Sequence, residues 1–291
     1  MNKFKIIKIL IILFVLGIGL LCWMRYISTK GLVIKEYSLK TNKLNDTYDG
    51  FKIVHFSDLH FGSTIGLNEV KSIVETINKQ NADIVVFTGD LFNNNTVVSN
   101  ENINLLVEEL NKINPKIKTF GIPGNHDYDK RDNWNYFIEK TNWKILTNTY
   151  DFIYSETNIP IVFVGVDDYS EGNPNYKEAY QYLTDTTKDY YTILLAHEPD
   201  QIEHLNDNNE DNNYSFDVAF AGHSHLGQVR LPFIGATILP YGSKKYYDEY
   251  YSLENGKQLY ISGGLGTSVL KIRFLNKPSI NIYRLYTKGE E

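Results

Sequence analysis

The chain has 291 residues, 42% of them hydrophobic and 22% charged, with a net charge of −6; that length supports a sizeable core, and the composition excludes a disordered or fibrous protein. The single cysteine, Cys22, excludes an intramolecular disulfide and a thiolate metal site. The first 30 residues hold five basic and no acidic residues, leaving 24 basic against 35 acidic, net −11, for the remainder; so acidic a body lacks the clustered Lys and Arg that neutralise phosphates, and no nucleic-acid partner is expected.

Ile9 to Met24 is an uncharged run of 16 residues between Lys8 and Arg25. As a helix it covers roughly 24 Å, and Ile6 and Ile7 lengthen it if Lys8 reaches for the interface. Trp23 and Tyr26 suit the headgroup level. A cleaved signal peptide is the competing reading, but Leu20-Leu21-Cys22-Trp23-Met24 offers no small residues at a cleavage site. Residues 1–30 are therefore expected to form a single-pass anchor in the cell membrane. Basic residues on both sides of the run leave the charge count undecided; the short basic N-terminal tail points to a domain on the extracytoplasmic side.

Residues 31–50 read as a lead-in, partly extended at Leu32-Val33-Ile34 and turning at Asn45-Asp46-Thr47. From Phe51 to the C-terminus a single domain, 51–291, is expected. Short apolar, β-branched runs predict strands at Lys52 to Phe56, Ile84 to Thr88, Lys118 to Ile122, Ile161 to Val166, Tyr191 to Ala196 and Val218 to Ala221. Helical spacing predicts helices over Leu67 to Gln80 and Glu101 to Ile113. Asn206 to Asn213 reads as a polar loop. The last 50 residues read as β-rich, at Leu259 to Ser262, Ile272 to Phe274 and Ser279 to Leu285. Strands alternating with helices predict an α/β layered fold.

The chemistry-bearing residues follow these strands. Asp58 and His60 follow the first, Asp90 the second, Asn125, His126 and Asp127 the third, His197 the fifth, and His223 and His225 the sixth. Five of the seven histidines sit at such strand ends. A lone His after a strand is usually a bland loop residue, but five such coincidences are a pattern. The carboxyl ends of strands in an open α/β sheet are where ligands bind. The glycines in these segments, Gly62, Gly89, Gly124 and Gly222, suit tight turns beside a cofactor.

Together these segments resemble the calcineurin-like metallophosphoesterase family, through Asp58-Leu59-His60, Gly89-Asp90, Gly124-Asn125-His126-Asp127, His197 and Gly222-His223-Ser224-His225, in that order. The resemblance covers about Phe51 to Leu285. It implies a four-layer α/β/β/α sandwich with two divalent metal ions, Zn, Mn or Fe. One ion would take Asp58, His60 and His225, the other Asn125, His197 and His223, and Asp90 would bridge them. A hydroxide shared by the ions would attack phosphorus in line. His126 would donate a proton to the leaving oxygen or stabilise transition-state charge, and Asp127 would orient a ligand. Asn93 stands where many members carry an acid, which puts the tuning of His126 in question. His55 and His204 fall outside the motifs and read as structural.

The segment from Gly222 to Pro232, with Gly263-Leu265-Gly266-Thr267 and Ile272-Arg273-Phe274, is similar to a membrane-associated branch that includes enzymes resembling UDP-2,3-diacylglucosamine pyrophosphatase. Arg230 and Arg273 are candidate substrate-phosphate ligands, against an equal reading as packing residues. Tyr241, Tyr246, Tyr247, Tyr250 and Tyr251 read as a half-buried β-hairpin in preference to a lipid-facing or sugar-stacking surface. The expected function is hydrolysis of a phosphodiester or pyrophosphate on a lipid-linked or nucleotide-sugar substrate. The alternatives are a phosphomonoesterase acting on small molecules or wall polymers, and a scaffold without catalysis; the last should have lost ligands, and none is missing here.

Overall fold

The computed structural model describes residues 3–183, 189–207 and 214–287. Helix α1, Lys3–Tyr26, carries the N-terminal apolar run; its 24 residues extend ~36 Å, enough to cross a bilayer core, and its apolar window is exposed along its length. In chain order follow β1 (Val33–Lys40), β2 (Lys52–Phe56), α2 (Leu67–Asn78), β3 (Ile84–Thr88), α3 (Asn100–Leu110), β4 (Lys118–Ile122), α4 (Asn125–Asp129), α5 (Arg131–Lys140) and β5 (Lys144–Ile145). The second half contains β6 (Thr149–Ile153), β7 (Ile161–Gly165), α6 (Tyr176–Ala179), β8 (Tyr191–Leu195), α7 (Gln201–Asp207), β9 (Val218–Ala221), β10 (Arg230–Leu231), β11 (Gly235–Ala236), β12 (Tyr250–Ser252), β13 (Gln258–Ile261) and β14 (Ser279–Tyr286).

Two six-stranded sheets form the body. The first has the order β1-β14-β2-β3-β4-β5, the second β12-β13-β9-β8-β7-β6. Their central strands β2, β3, β4 and β7, β8, β9 are parallel within each sheet. Such strands are covered on both faces and read as unbroken apolar runs, which is why the sequence shows them so clearly.

Alternate residues divide the core into three layers. Ile53, Ile84, Val86 and Phe120 face Phe163, Ile193, Leu195 and Phe220 between the sheets. Val54, Phe56, Val85 and Phe87 point the other way, under α2, α3 and α5. Val162, Val164, Leu194 and Ala219 meet α6 and α7. The four-layer α/β/β/α arrangement therefore follows from strands whose two faces are both apolar.

Three expectations change at the edges. Residues 33–40, within the expected lead-in, form an edge strand of the first sheet, paired in parallel with β14. Ile272 to Phe274 is not a strand; Phe274 makes one isolated bridge to Val229, because Arg273 between its neighbours turns inward. Of the loop expected at 206–213, residues 208–213 lie outside the described residues.

Candidate metal centre

Each strand that leads to a motif ends in a tight reversal, and the reversals of the two sheets meet over the seam. Asp58, His60, Asp90 and Asn125 come from the first sheet; His197, His223 and His225 come from the second. Asp58, His60, Asp90, His223 and His225 all have left-handed backbones, with φ of 50°, 44°, 62°, 63° and 47°. For residues other than glycine this costs on the order of 1–2 kcal/mol each, and such strain concentrates at functional sites. It turns five donor side chains into one crevice.

The crevice holds three donor clusters among the described residues, and the third, His60, Asp90 and His126, overlaps the other two through His60 and Asp90. Donor atoms of Asp58, His60 and His225 lie within 4.8 Å of one another, and so do those of Asp90, His197 and His223. His60 Nε2 is 3.0 Å from His225 Nε2, and Asp58 Oδ1 is 3.4 Å from His225 Nε2. Asp90 Oδ2 lies 3.5 Å from His60 Nε2 and 3.4 Å from His197 Nε2, so one carboxylate reaches both clusters.

Backbone carbonyls fix two of the imidazoles. His197 Nδ1–H donates to Thr88 O at 2.7 Å, which leaves Nε2 as the nitrogen that faces Asp90. His223 Nε2–H donates to Tyr241 O at 2.6 Å, which leaves Nδ1 as its acceptor nitrogen. A hydrogen bond on the far nitrogen is how proteins orient a metal-binding imidazole. Asn125 Oδ1 and His197 Nε2 are buried with no hydrogen-bond partner among the described residues. Buried polar atoms are seldom left so, and a cation is the simplest partner for a neutral amide oxygen beside an imidazole nitrogen.

The protonation states suit the same reading. Burial pushes His60 down to about 3 and holds His223 and His225 below the usual imidazole range, so these rings are neutral. Burial alone would raise the Asp90 carboxyl, but His197, His126 and His60 outweigh it and hold it well below the usual range. Burial pushes Asp58 up to about 7, with the Asp90 charge adding to the rise. Three neutral imidazoles beside one ionised carboxylate, with His197 held up above the usual imidazole range by that same Asp90, are a donor set for a divalent cation.

Asp127 is buried beneath the Asp90 loop. Its Oδ2 accepts from the N–H groups of Asp90 at 2.9 Å and Gly124 at 3.0 Å; its Oδ1 accepts from Leu91 at 2.9 Å and Phe92 at 3.2 Å. It shapes the turn that presents Asp90. His126 sits at the rim, with its N–H donating to Asp90 Oδ1 at 2.9 Å and its Nε2 3.9 Å from Asp90 Oδ2.

The family profile described as Calcineurin-like phosphoesterase matches residues 51–227. The chain belongs to that family. Among its relatives is the Bacillus subtilis metallophosphoesterase YkuE, 31% identical over 90% of this chain and 88% of that protein. An Aquifex aeolicus metallophosphoesterase is 28% identical over 91% of this chain and 95% of its own length. The Danio rerio transmembrane protein with metallophosphoesterase domain is 24% identical over 85% of this chain, which spans 56% of that protein. The chain is thus a phosphoesterase hydrolase of a family with a dinuclear divalent metal centre, and it carries one N-terminal helix long and apolar enough to cross a membrane.

Several residues outside the family motifs take places the sequence did not foretell. Arg273 is wholly buried, donating to the carbonyls of Gly263 at 2.8 Å, Gly264 at 3.0 Å and Gly266 at 2.6 Å, with Nη2 3.3 Å from His225 Nδ1. Its donors are spent on backbone, which corrects its expected role in binding substrate phosphate; it backs a histidine instead. Arg230 is held by Asp248 at 2.7 Å and by Leu226 O at 2.8 Å, so it too is engaged away from the expected phosphate contact. Asn93 accepts from Asn95 N and Thr96 Oγ1, both at 3.1 Å, so its side chain serves its own turn. The expected tyrosine hairpin is only partly a hairpin: Tyr250 and Tyr251 lie on β12, paired with β13, whereas Tyr241, Tyr246 and Tyr247 precede it in a loop.

His55 and His204 belong to none of the donor clusters. His55 Nε2 hydrogen-bonds Thr88 Oγ1 at 2.8 Å, and His204 stacks on Tyr169 at 4.2 Å. Sequence reasoning missed Glu198, which is buried directly behind His197 and accepts from Tyr169 N and Ser170 N, each at 3.0 Å. Its adjacency to His197 was the available signal.

Proposed function

We propose that Asp58, His60 and His225 hold one divalent cation, that Asn125, His197 and His223 hold the other, and that Asp90 is shared. The observation that carries this is the reach of the single Asp90 carboxylate to both donor clusters. Zn, Mn and Fe all suit these donors. When bound, such a pair supplies Lewis acidity and lowers the pKa of water between its members.

The chain's own residues do the rest. Thr88 O and Tyr241 O hold the far nitrogens of His197 and His223, so that Nε2 of the first and Nδ1 of the second face the crevice. Asp127 keeps the Asp90 carboxylate in place. His197 is held up by Asp90 against the effect of burial, and a cation held there would displace that proton. His126, with its Nε2 3.9 Å from Asp90 Oδ2, is the residue that gives a proton to the leaving oxygen in this reading, and its nearness to the shared carboxylate supports that role.

The bond cleaved is a phosphodiester or pyrophosphate, on a lipid-linked or nucleotide-sugar substrate at the membrane surface. Both candidate arginines are committed elsewhere, Arg230 to Asp248 and Arg273 to carbonyls. A singly charged diester needs less added positive charge than a monoester dianion. Residues 1–30 act as an uncleaved anchor, residues 31–50 lead into the catalytic domain and give it the edge strand β1, and that domain lies on the extracytoplasmic side. The test is turnover of bis-aryl phosphates, aryl monophosphates and lipid-linked diphosphates by metal-supplemented protein, with Asp90→Asn as control. Diester or diphosphate turnover abolished by Asp90→Asn is expected; exclusive monoester turnover overturns the diester reading.

A further inference from the structure

The anchor and the metal centre lie at the same end of the sheets. β2 runs toward Asp58; β14 pairs with it antiparallel, Asn281 opposite His55; β1 pairs with β14 in parallel, Val33 opposite Ser279. The chain leaves α1 at Tyr26 and enters β1 at Val33, so it joins the domain beside the donor-bearing turns. The last turn of α1 touches that end directly. The Trp23 ring meets Phe274 edge-on at 5.9 Å, and Arg273 N–H donates to Met24 O at 3.1 Å. A tryptophan at a spanning helix's end marks headgroup depth, which puts Phe274 at that depth too.

From Phe274 the connection runs to the β10–β11 hairpin. Arg230 N–H donates to Phe274 O at 2.9 Å, and Phe274 N–H donates to Gln228 O at 3.1 Å. Gln228 Nε2 donates to Leu270 O at 2.7 Å, tying in the loop beside it. No charged residue occurs from Leu231 to Ser243. The hairpin tip leaves Phe233 fully exposed, at 109%, with Ile234 at 72% and Ile238 at 70%; the neighbouring loop leaves Val269 at 81%. Exposed Lys244, whose Nζ donates to Leu239 O, and Lys271, next to Leu270, border these residues in the chain. An apolar tip with a basic border, tied to a spanning helix at headgroup depth, has the chemistry of a lipid-inserting element.

We propose that the β10–β11 tip, with Val269 and Leu270, inserts into the leaflet from which α1 emerges. The occupant of this apolar face is the bilayer itself. The inference rests on α1 spanning the membrane, and it does not depend on the metals or the substrate. The hairpin grows out of the turn carrying His223 and His225, so the metal centre opens at headgroup height, where phosphates of lipids or lipid-linked amphiphiles are presented.

The test uses the full chain in nanodiscs of phosphatidylcholine and phosphatidylglycerol containing a spin-labelled lipid. A fluorophore is placed at native Cys22, or in a Cys22→Ser background at Phe233→Cys or Glu254→Cys. Glu254 lies before β13, which runs toward the metal centre, so it marks the far end of the second sheet. Lipid quenching at 233 is expected to exceed that at 254 by about threefold or more, as insertion of the tip requires, with Cys22 also quenched. Equal quenching at 233 and 254 with Cys22 quenched overturns the proposal. So does a label at 233 that is shielded from water yet unquenched by lipid, since a second copy or another protein then covers the face. An unquenched Cys22 shows instead that the anchor reading has failed, and this proposal with it.

Discussion

Asp127→Asn isolates the support of Asp90 from the donors themselves. The two Asp127 oxygens accept four backbone N–H groups, two each, in a fully buried place. Whichever way an asparagine amide turns, its NH₂ faces two of those donors. Each buried N–H left without an acceptor costs about 1–3 kcal/mol, and partial relaxation brings the pair to about 3 kcal/mol. For a chain of this size that is a fall in Tm of roughly 6–12 °C. The loop carrying Asp90 would loosen with it, and cation affinity should drop about 10–100-fold, as for other residues that orient a ligand. Thermal unfolding of detergent-solubilised protein, with metal titration, measures both. A variant within about 1 kcal/mol of wild type refutes the account of the turn. A destabilised variant with native metal affinity refutes the link from turn to cation.

His126→Ala should retain both metals by elemental analysis and lose turnover by about 10²–10⁴-fold; parallel loss of metal would make His126 a ligand instead. Gly89→Ala should fail to assemble the centre, because φ is +90° and a Cβ there would stand 2.5 Å from His197 Nδ1 and 2.7 Å from Gly124 N; native metal content in that variant would contradict the packing described. Burial pushes His55 down to about 3 from its ordinary 6.5, so the folded state refuses a proton that the unfolded chain accepts below pH 6.5. Its contribution is complete above that pH and shrinks as pH falls toward 3; wild type should lose its advantage over His55→Gln by about 1 kcal/mol per pH unit between pH 6 and 4, read from denaturant unfolding. Parallel pH profiles would show that His55 is not the titrating group.

The parts of the fold visible in the sequence were those written locally. β3 and β8 are short apolar runs buried on both faces, and each ends in its motif, so strand and donor were legible together. Arg273 was not legible, because three carbonyls from a distant turn decide its place and nothing in its neighbours announces them. Residues 33–40 alternate exposed and half-buried positions and become a strand only through β14, some 240 residues later. The left-handed backbone of Asp58 or His223 was not legible either, since Asp and His tolerate that conformation better than most residues but seldom adopt it.

The seam between the sheets has a consequence for how the protein can be altered. Four donors ride on one sheet and three on the other, and between them lies only an interdigitated layer of rings and branched chains such as Phe120, Phe163 and Phe220. The centre is therefore also a gauge of how those sheets sit. A substitution deep in that layer that let one sheet slide by ~1 Å would disturb the chemistry as severely as an injury to a donor, while touching nothing the substrate meets.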